Sequence, residues 1–319
     1  MPLLDMPLHK LKEYRGISPK PADFDDFWDE QLKKLENIDP QIELTRVDYK
    51  SFFADAYEMR FTSTQGARIF AKMLKPKNVA GKMPAVIFFH GLGGCGASFN
   101  EMLAYASQGY CVFTMDSRGQ GGKSEDVGGT VGTTQVTMFM RGVDGPAEKM
   151  YGVNLFLDTA MIAKIVSEME FVDESRIGVQ GGSQGGALSV ACAALFPSVK
   201  LCAPTVPYMS DYKRVWEMDL AQHAYDGMRD YFRRQDPRHE REAEVFEKLG
   251  YIDIQNLAPR IKAKLLMGTG LMDNICPPST QFAMYNKLTC EKDLVIYPDY
   301  GHETPGSHGE LVFNFMSQL

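Results

Sequence analysis

One serine of this sequence stands in a pattern that is typical of a catalytic nucleophile. The residues Gly181-Gly182-Ser183-Gln184-Gly185 follow the segment 176–180 (RIGVQ), whose pattern predicts a strand, and precede an alanine-rich segment at 187–196, which predicts a helix. A serine on so tight a strand-to-helix turn needs small neighbours, and the glycines meet that need. The helix N-terminus also favours negative charge that develops beside the serine. Ser183 is therefore the candidate nucleophile, and an ordinary helix-capping serine is the alternative.

A serine hydroxyl becomes a good nucleophile only when a base accepts its proton. Of the six histidines, only His302 and His308 follow the last predicted strand, where the order Ser…Asp…His requires the base. His302 directly follows a strand and a turn and is the candidate base, whereas His308 is predicted at a helix start or on the surface. The acid that orients the imidazole should stand in the loop after the preceding strand, which points to Asp273. Asp299, three residues before His302, is the competitor.

Two backbone N–H groups are expected to stabilise the oxyanion that such a nucleophile generates. The residue after the nucleophile, Gln184, supplies one of them. Leu92, in the glycine-rich segment 90–96, is the best-placed source of the other. These glycines also suggest a phosphate-binding loop, but no Gly-x-x-x-x-Gly-Lys-Ser/Thr pattern follows them. The constellation calls for no metal and no cofactor.

Apolar runs, alternating patterns and apolar residues at helical spacing predict the elements that must position these residues. Strands are predicted at 42–47, 57–62, 69–74, 85–89, 110–115, 176–180, 201–206, 263–268 and 294–297, and helices at 23–35, 97–107, 153–169, 187–196 and 311–316. Unbroken apolar runs such as 85–89 are expected in parallel strands that are covered on both faces. Strands that alternate with helices predict an α/β protein with a mostly parallel sheet. Together with the nucleophile turn, this pattern indicates the α/β-hydrolase fold.

The whole chain, residues 1–319, is predicted to be one such domain with two additions. Residues 1–80 predict a helix and a set of antiparallel strands that precede the main sheet. Residues 210–258 are polar and helical and lie between two predicted strands, where this fold accepts a cap over the active site. Residues 119–152 are rich in glycine and threonine and predict a long irregular loop.

The bulk composition fits a globular enzyme and excludes several other classes of protein. Of 319 residues, 44% are hydrophobic and 24% are charged, and the formal net charge is −7. The one dense basic run, residues 229–241, is interleaved with acidic residues, whereas a nucleic-acid surface needs a net basic face. No segment of about 18 apolar residues predicts a membrane span.

The six cysteines are scattered and form no C-x-x-C pair. They are therefore expected to be reduced packing residues rather than disulfides or metal ligands. The N-terminal segment has no apolar core long enough for a signal peptide. These two observations lead us to expect a cytoplasmic location.

Several motifs together resemble the acetyl xylan esterase and cephalosporin C deacetylase group, carbohydrate esterase family 7. They are Arg118-Gly119-Gln120, the Gly-Ser-Gln-Gly turn at 182–185 and the pair His302-Glu303, and similar segments run through nearly the whole chain. The resemblance implies hydrolysis of acetyl esters on small, sugar-like molecules, without a metal and inside the cell. It also implies a compact hexamer whose active sites face an internal cavity. At Leu92 the family often has tyrosine; the backbone donor survives this departure, but a side-chain hydroxyl near the acyl group is lost.

Five further residues are predicted to lie around the site. Arg118 and Gln120 follow a predicted strand, so we expect them beside the catalytic loops, with Arg118 paired to a carboxylate such as Glu303. A purely structural role as loop anchors is the alternative. Tyr208 and Trp216 are predicted to close a small acetyl pocket together with Leu92, and ordinary core and cap packing is the alternative.

The sequence thus predicts a serine carboxylesterase that works by two-step acyl transfer. By resemblance, its substrates are small acetylated carbohydrates such as acetylated xylo-oligosaccharides, with cephalosporin C as a further candidate. The first alternative is another serine hydrolase of the same fold, either a short-chain lipid esterase or a peptidase. The alternative from another class is a binding module without catalysis. We expect a small acetylated molecule and other copies of the chain as partners, and neither nucleic acid nor membrane.

Overall fold

A nine-stranded sheet organises the described part of this computed structural model, which comprises residues 4–126, 138–220 and 222–319. Its strands are β1 (Glu43–Val47), β2 (Ala54–Thr62), β3 (Arg68–Pro76), β4 (Met83–Phe89), β5 (Cys111–Met115), β6 (Val172–Gly182), β7 (Leu201–Thr205), β8 (Lys264–Gly270) and β9 (Lys292–Tyr297). The helices are α1 (Leu8–Leu11), α2 (Phe24–Glu36), α3 (Phe99–Ala106), α4 (Tyr151–Ser167), α5 (Gln184–Leu195), α6 (Tyr212–Glu217), α7 (Asp226–Arg234), α8 (Glu242–Leu249), α9 (Ile254–Leu257), α10 (Pro278–Lys287) and α11 (Gly306–Met316). Short 3₁₀ turns lie at Thr64–Gly66, Met138–Met140, Ala147–Lys149, His223–Tyr225, Gly250–Ile252 and Ala258–Arg260.

The strand order confirms a mostly parallel sheet with an antiparallel N-terminal extension. The order is β1-β2-β3-β5-β4-β6-β7-β8-β9. The six strands from β5 to β9 run parallel to one another, while β1, β2 and β3 pair antiparallel and β3 joins β5 antiparallel. Since parallel strands end at the same edge, the loops after β4, β6, β8 and β9 all meet at one edge of the sheet.

Helices cover both faces of the sheet, as the apolar strands predict. Two consecutive residues of β4 show this directly, because their side chains point to opposite faces. Ile87 belongs to the large core that includes α4 and α5, whereas Val86 packs with α3 and α11. Both side chains are fully buried. Burial on both faces requires the continuous apolar run that the sequence shows.

Local sequence explains where the helix between β4 and β5 begins. Ser98 precedes α3, and its hydroxyl accepts the backbone N–H of Glu101 while the Glu101 carboxylate accepts the backbone N–H of Ser98. This capping box satisfies two N–H groups that would otherwise lack partners. It fixes the direction in which the chain leaves the loop after β4.

The polar segment 210–258 forms the helices α6 to α9 between β7 and β8, the position expected of a cap. Asp211, near the start of this segment, binds the N-terminal segment through hydrogen bonds. The Tyr14 hydroxyl donates to Asp211 Oδ2 at 2.7 Å, and the Ile17 and Ser18 N–H groups donate to Oδ1 at 3.0 and 2.8 Å. The Asp211 N–H in turn donates to the buried carboxylate of Asp253. Burial, together with the Asp211 charge, raises the pKa of Asp253 to about 7.

Three sequence expectations concern the rest of the chain. All six cysteines are free, and four of them are buried, whereas Cys95 is exposed and Cys290 half-buried. Part of the predicted irregular loop, residues 127–137, lies outside the described residues. No helix among the described residues is both long and apolar enough to cross a bilayer.

Candidate active site

Ser183 occupies the turn between β6 and α5, at the carboxyl edge of the sheet. Its backbone has φ +56° and ψ −120°, a conformation that non-glycine residues rarely adopt. A Cβ at Gly181 would lie 2.5 Å from the Phe89 carbonyl oxygen, and one at Gly185 would lie 2.1 Å from the same atom. Only glycine permits this approach of the turn to the end of β4, so both flanking glycines are required.

The structure brings His302 and Asp273 to this serine. His302 Nε2 lies 2.9 Å from Ser183 Oγ, and His302 Nδ1 lies 2.9 Å from Asp273 Oδ2. Asp299, the competitor for the acid, is exposed on the turn before His302 and makes no such contact. The two loops that follow β8 and β9 therefore supply the acid and the base.

Asp273 is held by four hydrogen bonds at a fully buried position, with 0% of its surface exposed. Its Oδ1 accepts the backbone N–H groups of Ile275 and Cys276 at 2.9 and 2.8 Å. Its Oδ2 accepts a bond from Gln281 Nε2 at 3.0 Å in addition to the His302 contact. A carboxylate oriented in this way fixes which imidazole nitrogen carries the proton.

The two backbone groups expected to bind an oxyanion are free to do so. Among the described residues, neither the Leu92 N–H nor the Gln184 N–H has a hydrogen-bond acceptor. The Gln184 N–H begins α5, where the helix dipole also favours negative charge. Leu92 lies in the loop after β4. Because Gly181 and Gly185 pack closely against the end of β4, this loop lies next to the turn that carries Ser183.

Gln120 joins the two loops that carry these N–H groups. Its Oε1 accepts the N–H of Gly93 at 2.8 Å, and its Nε2 donates to the Gln184 side-chain oxygen at 2.8 Å. Its Nε2 also lies 2.9 Å from the hydroxyl of Tyr151, which donates to the Arg118 carbonyl at 2.8 Å. Gln120 therefore lies beside the catalytic loops and connects the two that carry the oxyanion donors.

The predicted partner of Arg118 is wrong. Arg118 is 1% exposed and pairs with Asp158 of α4, with its Nε 2.6 Å from Asp158 Oδ2. Asp158 Oδ1 also accepts the Ser63 hydroxyl. Glu303 is instead exposed, and one of its carboxylate oxygens accepts the Gly301 N–H at 3.3 Å. The guanidinium points into the core beneath its own loop, where a buried charge requires a buried counter-charge.

Four further hydrogen bonds, which the sequence did not reveal, anchor the loop after β4. The carboxylate of Asp116 accepts the Gly96 N–H at 2.6 Å, and Lys72 Nζ donates to the Gly96 and Ala97 carbonyls. The Ser117 N–H donates to His90 Nε2 at 2.8 Å. Burial lowers the pKa of His90, which keeps that nitrogen available as an acceptor.

Tyr208 and Trp216 lie in packed clusters rather than on an open pocket wall. Tyr208 is 1% exposed; its ring packs edge-on against Tyr225, and its hydroxyl donates to the Ala224 carbonyl. Trp216 packs against Phe232 of α7, with ring centroids 4.8 Å apart. The alternative of core and cap packing therefore describes both side chains in this structure, while Leu92 is half-buried against the main core.

A cavity of about 330 Å³ borders the catalytic loops from the side of α3 and α11. Its lining includes Gly182, Thr304 and His308, but neither Ser183 nor His302. His308 was predicted at a helix start or on the surface; it lies in the first turn of α11, but its side chain is buried. Among the residues that the structure describes, no three histidine, cysteine or acidic side chains gather as a metal site.

This arrangement suits acyl transfer through a serine. The hydroxyl, the imidazole and the carboxylate form a continuous hydrogen-bond chain. Two backbone N–H groups that have no acceptor in the described part of the chain lie on the loops beside the serine. A nucleophile, a base oriented by an acid, and oxyanion donors are the components that a serine hydrolase needs.

Comparisons with known proteins identify close relatives over the whole chain. A sequence model of the acetyl xylan esterase (AXE1) family matches residues 1–319. The acetyl esterase Axe7A of Xylanibacter ruminicola is 27% identical over 306 residues, which cover 91% of this chain and 67% of that protein.

Solved structures agree with this match. Acetyl xylan esterase 1 from Thermoanaerobacterium sp. JW/SL YS485 is 52% identical, with a TM-score of 0.96 and 99% of each chain covered. The acetyl xylan esterase from Paenibacillus sp. R4 is 35% identical, with a TM-score of 0.93 and coverage of 98% of this chain and 99% of that one. The family expected from the sequence motifs is confirmed, and the chain belongs to the acetyl xylan esterase (AXE1) family, with an α/β-hydrolase fold.

Proposed function

We propose that this protein is a serine acetyl esterase that removes acetyl groups from small acetylated carbohydrates such as acetylated xylo-oligosaccharides. The observation that carries the proposal is the hydrogen-bond chain from Ser183 Oγ through His302 to Asp273, with 2.9 Å at each step. Relatives described as acetyl xylan esterases support acetyl as the acyl group. The buried position of Asp273 and the free N–H groups of Leu92 and Gln184 support the assignment of roles.

In the first step the Ser183 oxygen attacks the acetyl carbonyl while His302 Nε2 accepts the hydroxyl proton. The carbonyl oxygen becomes an oxyanion that accepts hydrogen bonds from the Leu92 and Gln184 N–H groups, each worth roughly 3–4 kcal/mol in a transition state. Asp273 stabilises the imidazolium that forms but keeps its own charge. When the tetrahedral intermediate collapses, the bond to the sugar oxygen breaks and that oxygen takes the proton from His302.

The second step uses the same groups on water. His302 Nε2 accepts a proton from a water molecule, whose oxygen attacks the acetyl group on Ser183. The second oxyanion occupies the same two donors. Its collapse breaks the bond to Ser183 Oγ, which takes back the proton from His302, and releases acetic acid, which loses its remaining proton to the solvent as acetate.

Acetate release from acetylated xylo-oligosaccharides tests this proposal through the Ser183→Ala variant. We expect kcat to fall by more than about a thousandfold, because the oxyanion donors alone leave only residual catalysis. Ser175→Ala, an exposed serine on the same strand β6, is the matched control and should keep full activity. A Ser183→Ala protein that keeps more than about a tenth of kcat would show that the nucleophile is another residue.

Chain-length dependence separates an acetyl esterase from a short-chain lipid esterase. Each methylene that a small acyl pocket cannot accept costs about 1–3 kcal/mol in kcat/KM. We therefore expect p-nitrophenyl acetate to be hydrolysed with a much higher kcat/KM than the butyrate or octanoate ester. A preference for octanoate would favour the lipid-esterase alternative.

Three further properties are proposals that rest on the family resemblance and on the sequence. The first is hydrolysis of cephalosporin C, which the same acetate-release assay measures. The second is a hexameric assembly, which light scattering coupled to size-exclusion chromatography tests through the molar mass. The third is a cytoplasmic location, which fractionation of the source cells tests.

A further inference from the structure

His308 is a buried imidazole that the proposed mechanism does not use. It lies in the first turn of α11 and is 1% exposed. Its Nε2 lies 3.1 Å from the Thr205 hydroxyl, and its Nδ1 lies 3.1 Å from the Tyr297 hydroxyl. Burial lowers the pKa of His308, so the ring is neutral at neutral pH and has one donor and one acceptor for these two hydroxyls.

The two hydroxyls belong to strands that are not adjacent. Thr205 ends β7 and Tyr297 ends β9, and β8 runs between them. The imidazole crosses β8 at Gly268, where a Cβ would lie 2.4 Å from His308 Nε2. A glycine inside a central strand often marks such a close approach. One ring therefore connects the carboxyl ends of three neighbouring strands.

These three strand ends hold the residues of the proposed catalytic triad. The Thr205 carbonyl accepts the Ser183 N–H at 2.9 Å, and Thr205 pairs with Gly182 in the sheet register. β8 leads directly into the loop that carries Asp273, and β9 leads into the loop that carries His302.

We propose that His308 is a positioning residue that fixes the relative placement of the nucleophile, acid and base by bridging Thr205 and Tyr297 across Gly268. The proposal rests on the assignment of Ser183, Asp273 and His302 in the proposed function. A displacement of about 1 Å between reacting groups can lower the rate by about a hundredfold. Loss of the His308 bridge, which is shared by three strands, should therefore lower kcat more than it changes substrate binding.

Paired substitutions test the bridge one hydrogen bond at a time. Thr205→Val removes the hydroxyl while keeping the shape of the side chain, and Tyr297→Phe removes the other hydroxyl. His308→Asn keeps an amide near Nδ1 only, so it loses the bond to Thr205. We expect Thr205→Val and His308→Asn each to lower kcat for p-nitrophenyl acetate by about tenfold, with KM within about twofold.

The double variant gives the sharpest result. Since Thr205→Val and His308→Asn remove the same hydrogen bond, the double variant should lose no more kcat than the worse single variant. Thr269→Val is the matched control, because Thr269 is the buried neighbour of Gly268 on β8 and its hydroxyl has no hydrogen-bond partner in the described part of the chain. This control should keep its full kcat.

Labelling of Ser183 by a fluorophosphonate provides a readout that does not depend on the acetyl substrate. We expect the labelling rate to fall together with kcat in Thr205→Val. If unmodified protein is labelled at Ser183 but releases no acetate, the substrate assignment fails. The labelling rate of Thr205→Val then still decides whether the His308 bridge positions Ser183. Thr205→Val protein that melts at a lower temperature but is labelled at the unmodified rate would overturn the proposal, as would single-variant effects on kcat that multiply in the double variant.

Discussion

Replacing Asp273 by asparagine should remove most of the activity by changing the tautomer of His302. Asp273 Oδ1 accepts two backbone N–H groups, from Ile275 and Cys276, at 2.9 and 2.8 Å. Asparagine has only one acceptor oxygen, and it must stay at this position to satisfy both donors. The amide NH₂ then takes the place of Oδ2, opposite His302 Nδ1.

That NH₂ group can only donate, so it favours the tautomer of His302 that has its proton on Nε2. An imidazole with a proton on Nε2 cannot accept the hydroxyl proton of Ser183. In a serine protease triad the equivalent substitution lowers kcat by about 10⁴-fold, which corresponds to about 5.5 kcal/mol of transition-state stabilisation. We expect a loss of the same order here.

Gln281 adds a smaller structural cost to the same substitution. Its Nε2 donates to Asp273 Oδ2 at 3.0 Å and to the Cys276 carbonyl at 2.6 Å, while its buried Oε1 has no partner among the described residues. An asparagine NH₂ would face the Gln281 NH₂ unless the Gln281 amide turns over and gives up the bond to Cys276. The loss of one such hydrogen bond lowers stability by about 1 kcal/mol, which a folded variant should tolerate.

The assay compares Asp273→Asn with Asp299→Asn in hydrolysis of p-nitrophenyl acetate, with circular dichroism as the check on folding. Asp299 is exposed and forms no hydrogen bond or ion pair with His302, so its variant should keep kcat within about twofold. Equal losses in the two variants, or a larger loss in Asp299→Asn, would refute the assignment of the acid. A folded Asp273→Asn protein with more than about a tenth of kcat would refute the tautomer argument.

Four further outcomes are expected. Gln120→Ala should lower kcat about tenfold with little change in KM, because the loop that carries one oxyanion donor loses its support; an unchanged kcat would contradict this. Asp158→Ala should lower the free energy of unfolding by about 3–5 kcal/mol in a denaturant titration, because the buried Arg118 charge is left unpaired; a change below about 1 kcal/mol would contradict the pairing. Tyr208→Phe should lower the free energy of unfolding by about 1 kcal/mol and leave the ratio of kcat/KM for acetate to kcat/KM for butyrate unchanged. A changed ratio would indicate that Tyr208 lines the acyl pocket. Burial lowers the pKa of His308, so the stability that its neutral ring contributes is complete above about pH 6.5 and is lost as the pH falls. In His308→Gln, the melting temperature should therefore fall less steeply below that pH. An unchanged slope would show that another group is responsible.

Much of the fold could be predicted because the parallel strands are continuous apolar runs. The segment 85–89 lies within β4, and 201–206 matches β7 to within one residue. Once the strand order is parallel, the loops that contain Ser183, Asp273 and His302 must share one edge of the sheet. The proximity of these residues therefore follows from their position after successive strands, without knowledge of any side-chain contact.

The partners of buried charges could not be predicted in the same way. Arg118 had several acidic residues within reach along the chain, and the choice depends on how α4 packs against its loop. One signal was available, since Asp158 is a carboxylate in the apolar middle of α4, and such a residue needs a buried cation. Glu303 was predicted as the partner of Arg118 because it is next to His302 in the sequence, but a position next to a catalytic residue does not determine whether a side chain is buried.

The directions of Tyr208 and His308 depended on backbone details that periodicity does not contain. After β7 the chain has positive φ at Val206, Met209 and Asp211, so the alternation of the strand no longer predicts which way Tyr208 points. His308 was expected at a helix start or on the surface, and it does lie at the start of α11, but nothing in the local pattern indicated that its ring is buried. Gly268 in a central strand was the signal that a side chain from elsewhere occupies that space.

The attachment of the N-terminal segment to Asp211 has a consequence for the order of folding. Tyr14 and Asp211 are 197 residues apart in the chain, so the segment leaves the ribosome long before its binding site is synthesised. Contacts between such distant residues form slowly, because a long loop must close first. Until it docks, the carboxylate of Asp211 lacks its three donors, and the base of the cap cannot take its final packing. We therefore expect the N-terminal segment to dock on Asp211 late in folding, and refolding experiments should detect this docking as a phase slower than formation of the sheet.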